Sequence, residues 1–159
     1  MKLYHYFLIA AAAPALVAAD APRLTEGYRS GVCMAGVAMA GVELQVTRRL
    51  RDGNVGVTVD MPSWPEARGQ DNDANHPLSV TLIGKDGTAT RFVARSGGYD
   101  TGGFSEGFWG GFGAGNASDT FYAALEKATT IGLEMDRRSF GPYPAPSWRS
   151  LENCARQNR

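Results

Sequence analysis

"VELQVTRRLRDGNVGVTVDMP", Val42 to Pro62, alternates apolar and polar residues on both sides of a short polar break. Val42, Leu44 and Val46 share one face of an extended chain, and Val55, Val57, Val59 and Met61 share one face of the next. A period of two marks a strand with one buried side, and the intervening "RDGN" supplies a glycine-containing turn, so the stretch reads as a β-hairpin.

A second hairpin follows in "LSVTLIGKDGTATRFVARS", Leu78 to Ser96. Lys85, Asp86 and Gly87 form its turn, and Val80, Leu82, Phe92 and Ala94 are its apolar positions. The two hairpins are expected to pair into one antiparallel sheet with one face covered. Between them "PSWPEARGQDNDANHP" carries three prolines and many polar residues, and reads as a long exposed loop.

The C-terminal part changes period. Ser118 or Asp119 is placed to cap a helix in which Phe121, Leu125 and Ala128 recur at helical spacing, with Tyr122 and Ala124 widening the stripe. "TTIGLEMD" then puts Ile131, Leu133 and Met135 on one side of a strand. The proline-rich "FGPYPAP" reads as a connector to a last helix, capped by Ser147, with Trp148, Leu151 and Ala155 turned inward. The expected fold class is therefore α+β: an antiparallel β-sheet of two hairpins plus a further strand, with two short helices in the C-terminal part.

The first nineteen residues have a cationic start at Lys2, an apolar run from Phe7 to Val17, and small residues Val17 and Ala19 ahead of the next bond. They read as a signal peptide cleaved near Ala19, which directs the chain to the periplasm or the outside; the apolar run is too short to span a bilayer. Removing 19 of 159 residues leaves 140, one globular domain over 20–159 that is expected to be soluble. Losing Lys2 leaves fifteen basic against sixteen acidic residues, a balance with no long-range pull toward nucleic acid or anionic lipid. Export favours a disulfide between Cys33 and Cys154; the alternative is a pair of buried thiols, and two isolated cysteines lack the partners zinc requires.

The tail from Phe121 to Cys154, "FYAALEKATTIGLEMDRRSFGPYPAPSWRSLENC", resembles the closing unit of small exported proteobacterial proteins of the invasion-associated locus B type: helix, strand, connector and short helix. The resemblance implies a periplasmic or secreted protein with an envelope or host-interaction role, and it brings no catalytic residues with it.

Chemistry-bearing patterns are few. "GGYDTGGFSEGFWGGFGAG", Gly97 to Gly115, holds nine glycines and five aromatics. A dinucleotide cradle would need a strand running directly into the glycine turn within a parallel unit, and neither is expected here, so no cofactor is assigned. The stretch reads as a long loop whose rings either fold back over the sheet or present an aromatic surface to a partner, with insertion into a membrane surface disfavoured by the neutral charge. Tyr99 and Phe112, near the flanking elements, are expected to pack on the fold. Phe108 and Trp109, mid-stretch, are the candidate binding contacts, together with Phe104.

Asp71, Asp73 and Asn75 copy the first ligands of a calcium loop, but His76 stands where a glycine is required and Leu82 where a glutamate is required, so no metal is assigned. His76 is the only histidine left after cleavage, and no nucleophile-elbow motif accompanies it. Carboxylates such as Glu106 with Glu134 or Asp136 are the remaining catalytic candidates, without a spacing that singles them out. The expected function is non-enzymatic binding of an envelope or extracellular protein or glycan. The alternatives are a small inhibitor or immunity protein, and a carboxylate-based hydrolase or glycan-processing enzyme.

Overall fold

The computed structural model describes residues 21–39, 41–61, 76–100 and 106–158. These form ten strands and two helices in the order β1 (Arg23–Arg29), β2 (Val32–Met39), β3 (Val42–Arg49), β4 (Val55–Met61), β5 (Leu78–Gly84), β6 (Ala89–Val93), β7 (Ser96–Asp100), β8 (Glu106–Gly111), α1 (Asn116–Leu125), β9 (Ala128–Met135), β10 (Arg138–Pro144) and α2 (Trp148–Gln157). The fold is α+β. A six-stranded sheet runs β1-β2-β3-β4-β8-β7 and a four-stranded sheet runs β10-β9-β5-β6, every pairing antiparallel.

Both expected hairpins form, β3 with β4 and β5 with β6, but they belong to different sheets, which corrects the expectation of one. The reason lies in what takes the free edge of each. β4 is paired on its far side by β8, and β5 is paired by β9. β8 comes from the glycine-rich stretch that reads as a loop, and its glycines permit backbone contact that a larger residue would block. A Cβ at Gly107 would run into the Val59 carbonyl of β4, and one at Gly110 would stand 2.6 Å from Leu78 Cδ2 of β5. Close strand approach, rather than loop flexibility, accounts for glycine here.

Further strands lie where none is evident in the sequence. β1 and β2 are joined by Ser30 and Gly31, both with positive φ (51° and 80°), the two-residue turn whose twist matches that of the strands it connects. β10 occupies the proline-rich connector, with Pro142 and Pro144 inside it. Proline removes a ladder donor and is tolerated because β10 is an edge strand, where the pairing with β9 shifts register between Phe140 and Tyr143.

Side chains from both sheets and both helices meet in one buried cluster. Leu44, Val46, Val55, Val57, Val59 and Phe108 enter it from the six-stranded sheet, and Val80, Leu82, Ile131, Leu133 and Met135 from the four-stranded one. Phe112 stacks on Phe121 of α1 with ring centroids 4.4 Å apart, and Phe92 meets Phe121 edge-on at 5.1 Å. Helix α1 starts after Gly115 without a side-chain cap. Ser118, one of the two expected caps, is instead fully buried: its hydroxyl donates to the Gly113 carbonyl and accepts from the Val55 N–H at 2.8 Å. Asp119 lies in the first turn of the helix rather than at its cap.

Helix α2 begins as expected, Ser147 Oγ accepting from the Ser150 N–H at 3.2 Å, and it buries Leu151 and Ala155. Cys33 of β2 and Cys154 of α2 form a disulfide with Cα atoms 5.9 Å apart, joining residues 121 positions apart. Glu152 reinforces the same joint: it accepts from Tyr122 of α1 at 2.9 Å and pairs with Arg48 of β3 at 3.5 Å, while the Arg48 guanidinium lies 3.9 Å above the Tyr122 ring. No helix among the described residues is long and apolar enough to cross a membrane.

Candidate functional site

Residues directly opposite in an antiparallel pair point to the same side of the sheet, so the ladder sorts the six-stranded sheet into two faces. Val46, Val57 and Gly110 lie opposite one another in turn, as do Leu44, Val59, Phe108 and Tyr99, and they face the core. Gln45, Thr58, Trp109 and Gly98 lie opposite one another on the other face, with Thr47, Gly56, Gly111 and Ser96 in the next row. Trp109 is half-buried on this outer face, with Gly98 across the ladder and Gly107 and Gly111 two residues away on its own strand. A cleft of about 330 Å³ opens beside it, lined by Val32, Thr47, Arg49, Asn54, Val57, Thr58 and Ser96. Arg49 is ion-paired to Asp52 through Nε at 2.9 Å. Asn54 Oδ1 is buried and accepts no hydrogen bond.

The three expected binding contacts separate. Trp109 stands on the open face. Phe108 does not: it is 1 % exposed and its ring lies 5.0 Å from that of Phe140. Adjacent residues of a strand must point to opposite sides, so once this stretch is a strand, one of the two has to be inside. Phe104 lies outside the described residues. Tyr99 and Phe112 are buried, as their positions near the flanking elements suggest. The calcium-like run from Asp71 to Asn75 also lies outside the described residues.

The carboxylate candidates are engaged separately. Glu134 pairs with Arg91 at 3.3 Å, while the backbone of Glu106 pairs with Met61. Asp136 belongs to a cluster not legible in the sequence. Its Oδ2 accepts from His76 Nδ1 at 2.7 Å and from the Tyr99 hydroxyl, and the His76 and Tyr99 rings meet edge-on with centroids 4.5 Å apart. His76 precedes β5, Tyr99 is in β7, and Asp136 is in the β9–β10 turn at φ 49°. His76 also donates its backbone N–H to the Gly97 carbonyl at 3.0 Å, so the cluster lies where the two sheets adjoin.

Burial pushes the Tyr122 phenol up to about 12, assisted by its bond to Glu152, and the Tyr143 phenol is pushed up by burial as well. The Tyr122 hydroxyl, followed by Arg156 and Arg48, holds the Glu152 carboxyl below its ordinary value. Both Tyr122 and Glu152 serve the joint between the helices and β3, not the open face. No protein-family model, curated protein or solved structure matches this chain.

Proposed function

We propose that this is an exported, non-enzymatic binding protein that holds an envelope or extracellular macromolecule on the open face of its six-stranded sheet. The observation that carries the proposal is Trp109: a large ring kept half-exposed on a sheet face, bracketed by glycines, beside a cleft. Phe108, Phe112 and Tyr99 from the same stretch serve the core; the strand period turns Trp109 outward, and an outward position needs no large ring for packing. Exposed tryptophan supplies a large contact area at small conformational cost.

Export is supported by the N-terminal nineteen residues, and the disulfide is compatible with an oxidising destination. The C-terminal resemblance to the invasion-associated locus B type points the same way. His76 with Asp136 is half of an acid–base arrangement, but the same carboxylate oxygen also accepts from Tyr99, which suits a pin between sheets better than a proton relay.

Capture from an envelope extract with the purified protein tests the proposal. Trp109→Ala is expected to abolish retention of the ligand while leaving the melting temperature within a few degrees of the parent. Equal retention by the two proteins would refute it.

A further inference from the structure

We infer that the ligand of the Trp109 cleft is a neutral saccharide chain, one ring of which lies flat on the indole; the inference rests on the open face being the binding surface. Four features of the cleft lead there.

The first is the half-exposed indole. Gly98, Gly107 and Gly111 place no side chain beside Trp109 at three of its neighbouring positions on this face, and Thr58 is the side chain directly across the ladder, so part of the ring is left for a flat ligand. An aromatic face carries the negative part of its quadrupole, and the C–H bonds on one face of a pyranose ring present the complementary positive charge.

The second is the polar set. Thr47, Thr58 and Ser96 bring hydroxyls and Asn54 an amide to the same cleft, groups that can both donate to and accept from sugar hydroxyls. The third is charge. Among the described residues, Arg49 is the one charged residue lining the cleft, and Asp52 pairs with it at 2.9 Å. A phosphorylated or carboxylated ligand would be expected to meet unpaired cations.

The fourth separates a sugar from a protein partner. Protein interfaces are anchored by clusters of buried aromatic and aliphatic side chains, and this cleft offers one aromatic with Val32 and Val57 as its aliphatic residues. The exposed apolar side chains Leu24, Tyr28 and Val93 are elsewhere: Leu24 and Tyr28 lie opposite Val37 and Cys33, on the other face of the sheet, and Val93 is in the four-stranded sheet. A volume of about 330 Å³ is at the small end of ligand sites and has room for about one or two sugar rings.

Titration of the purified protein with neutral oligosaccharides of hexose and N-acetylhexosamine units tests this, with uronic-acid oligomers beside them. Saturation transfer to sugar protons and tryptophan fluorescence are the readouts. Saturable binding of a neutral oligomer is expected, weakened at least about tenfold by Trp109→Ala and about threefold by Thr58→Val, with both variants melting like the parent. No transfer to any neutral oligomer, transfer unchanged in Trp109→Ala, or preference for the uronic-acid oligomers would overturn the inference. Capture from an envelope extract by parent and Trp109→Ala proteins separates the two levels. A protein ligand retained only by the parent, with no sugar bound, removes the saccharide and leaves the binding face standing. Equal capture by both proteins removes both.

Discussion

Phe108 and Trp109 are consecutive in β8, yet Phe108 is 1 % exposed in the core while Trp109 stands on the opposite face of the sheet beside an open cleft. The pair divides the glycine-rich stretch into a structural and a presenting side. Phe108→Ala is expected to cost about 3 to 5 kcal/mol, because truncating a buried Phe forfeits both its transfer free energy and the packing around it. Trp109→Ala is expected to cost about 1 kcal/mol or less, in keeping with a ring half in solvent. Urea unfolding of the two variants checks both values; equal losses would mean that Trp109 is as much a core residue as Phe108.

The Cys33–Cys154 bridge joins β2 to α2 across 121 positions, and a loop of that size restricts the unfolded chain strongly. Reduction, or replacement of both cysteines by alanine, is expected to lower stability by about 2 to 5 kcal/mol. Without the bridge, helix α2 is held chiefly by buried Leu151 and Ala155 and by the Glu152 contacts, fewer ties than the sheet ladders have, so its loss should precede that of the sheets on heating the reduced protein. Circular dichroism followed with and without reductant measures the first effect, and hydrogen exchange resolved by residue measures the second.

Glu152 and Tyr122 predict opposite limbs of the pH profile. The folded Glu152 carboxyl lies below its ordinary value of 4.5, chiefly through the Tyr122 hydroxyl, so its stabilisation is complete above that value and is lost as the pH falls through the folded one. The Tyr122 phenol rises from 10 to about 12 through burial, so its contribution is complete below pH 10 and is lost as the pH climbs toward 12. Glu152→Gln should therefore flatten the acid limb. Tyr122→Phe should flatten part of the alkaline limb, the remainder belonging to Tyr143. Melting temperatures from pH 3 to 11.5 supply the comparison; unchanged slopes in both variants would dissociate the joint from stability.

Periodicity made β3, β4, β5 and β9 legible, because valine, leucine and isoleucine alternate there without interruption, and Ser147 announced α2. The hidden strands share a different chemistry. In β2, Ala35, Gly36 and Ala38 dilute the alternation, in β8 glycines take three of six positions, and in β10 prolines sit within the run. Each of these residue types disfavours a strand on propensity and is accepted for a tertiary reason: close approach of backbones, or an edge with no second partner. Half of the candidate binding pair was legible for the same reason. Trp109 could be found as a ring in a glycine setting, but only the strand period shows that Phe108 must turn the other way. The His76, Tyr99 and Asp136 cluster left no local signal, since its members come from three distant segments that meet only when the two sheets adjoin.

If close approach is what selects glycine, substitution should discriminate between positions that look alike in the sequence. Gly110 and Gly132 are both mid-strand glycines outside the positive-φ region. A Cβ at Gly110 would lie 2.6 Å from Leu78 Cδ2 and 3.0 Å from Ala94 Cβ, whereas one at Gly132 would meet nothing nearer than the Thr81 carbonyl at 4.0 Å. Gly110→Ala must push β8 away from the start of β5 and is expected to cost about 1 to 3 kcal/mol, the range for overpacking. Gly132→Ala fits without displacement and narrows the unfolded ensemble, so it is expected to be neutral or to stabilise by up to about 1 kcal/mol. The displacement at Gly110 also moves Trp109, its neighbour in β8 and a wall of the same cleft, so Gly110→Ala should weaken ligand capture even where the protein remains folded. Equal melting temperatures for the two alanine variants would show that the strand glycines are not there for contact between the sheets.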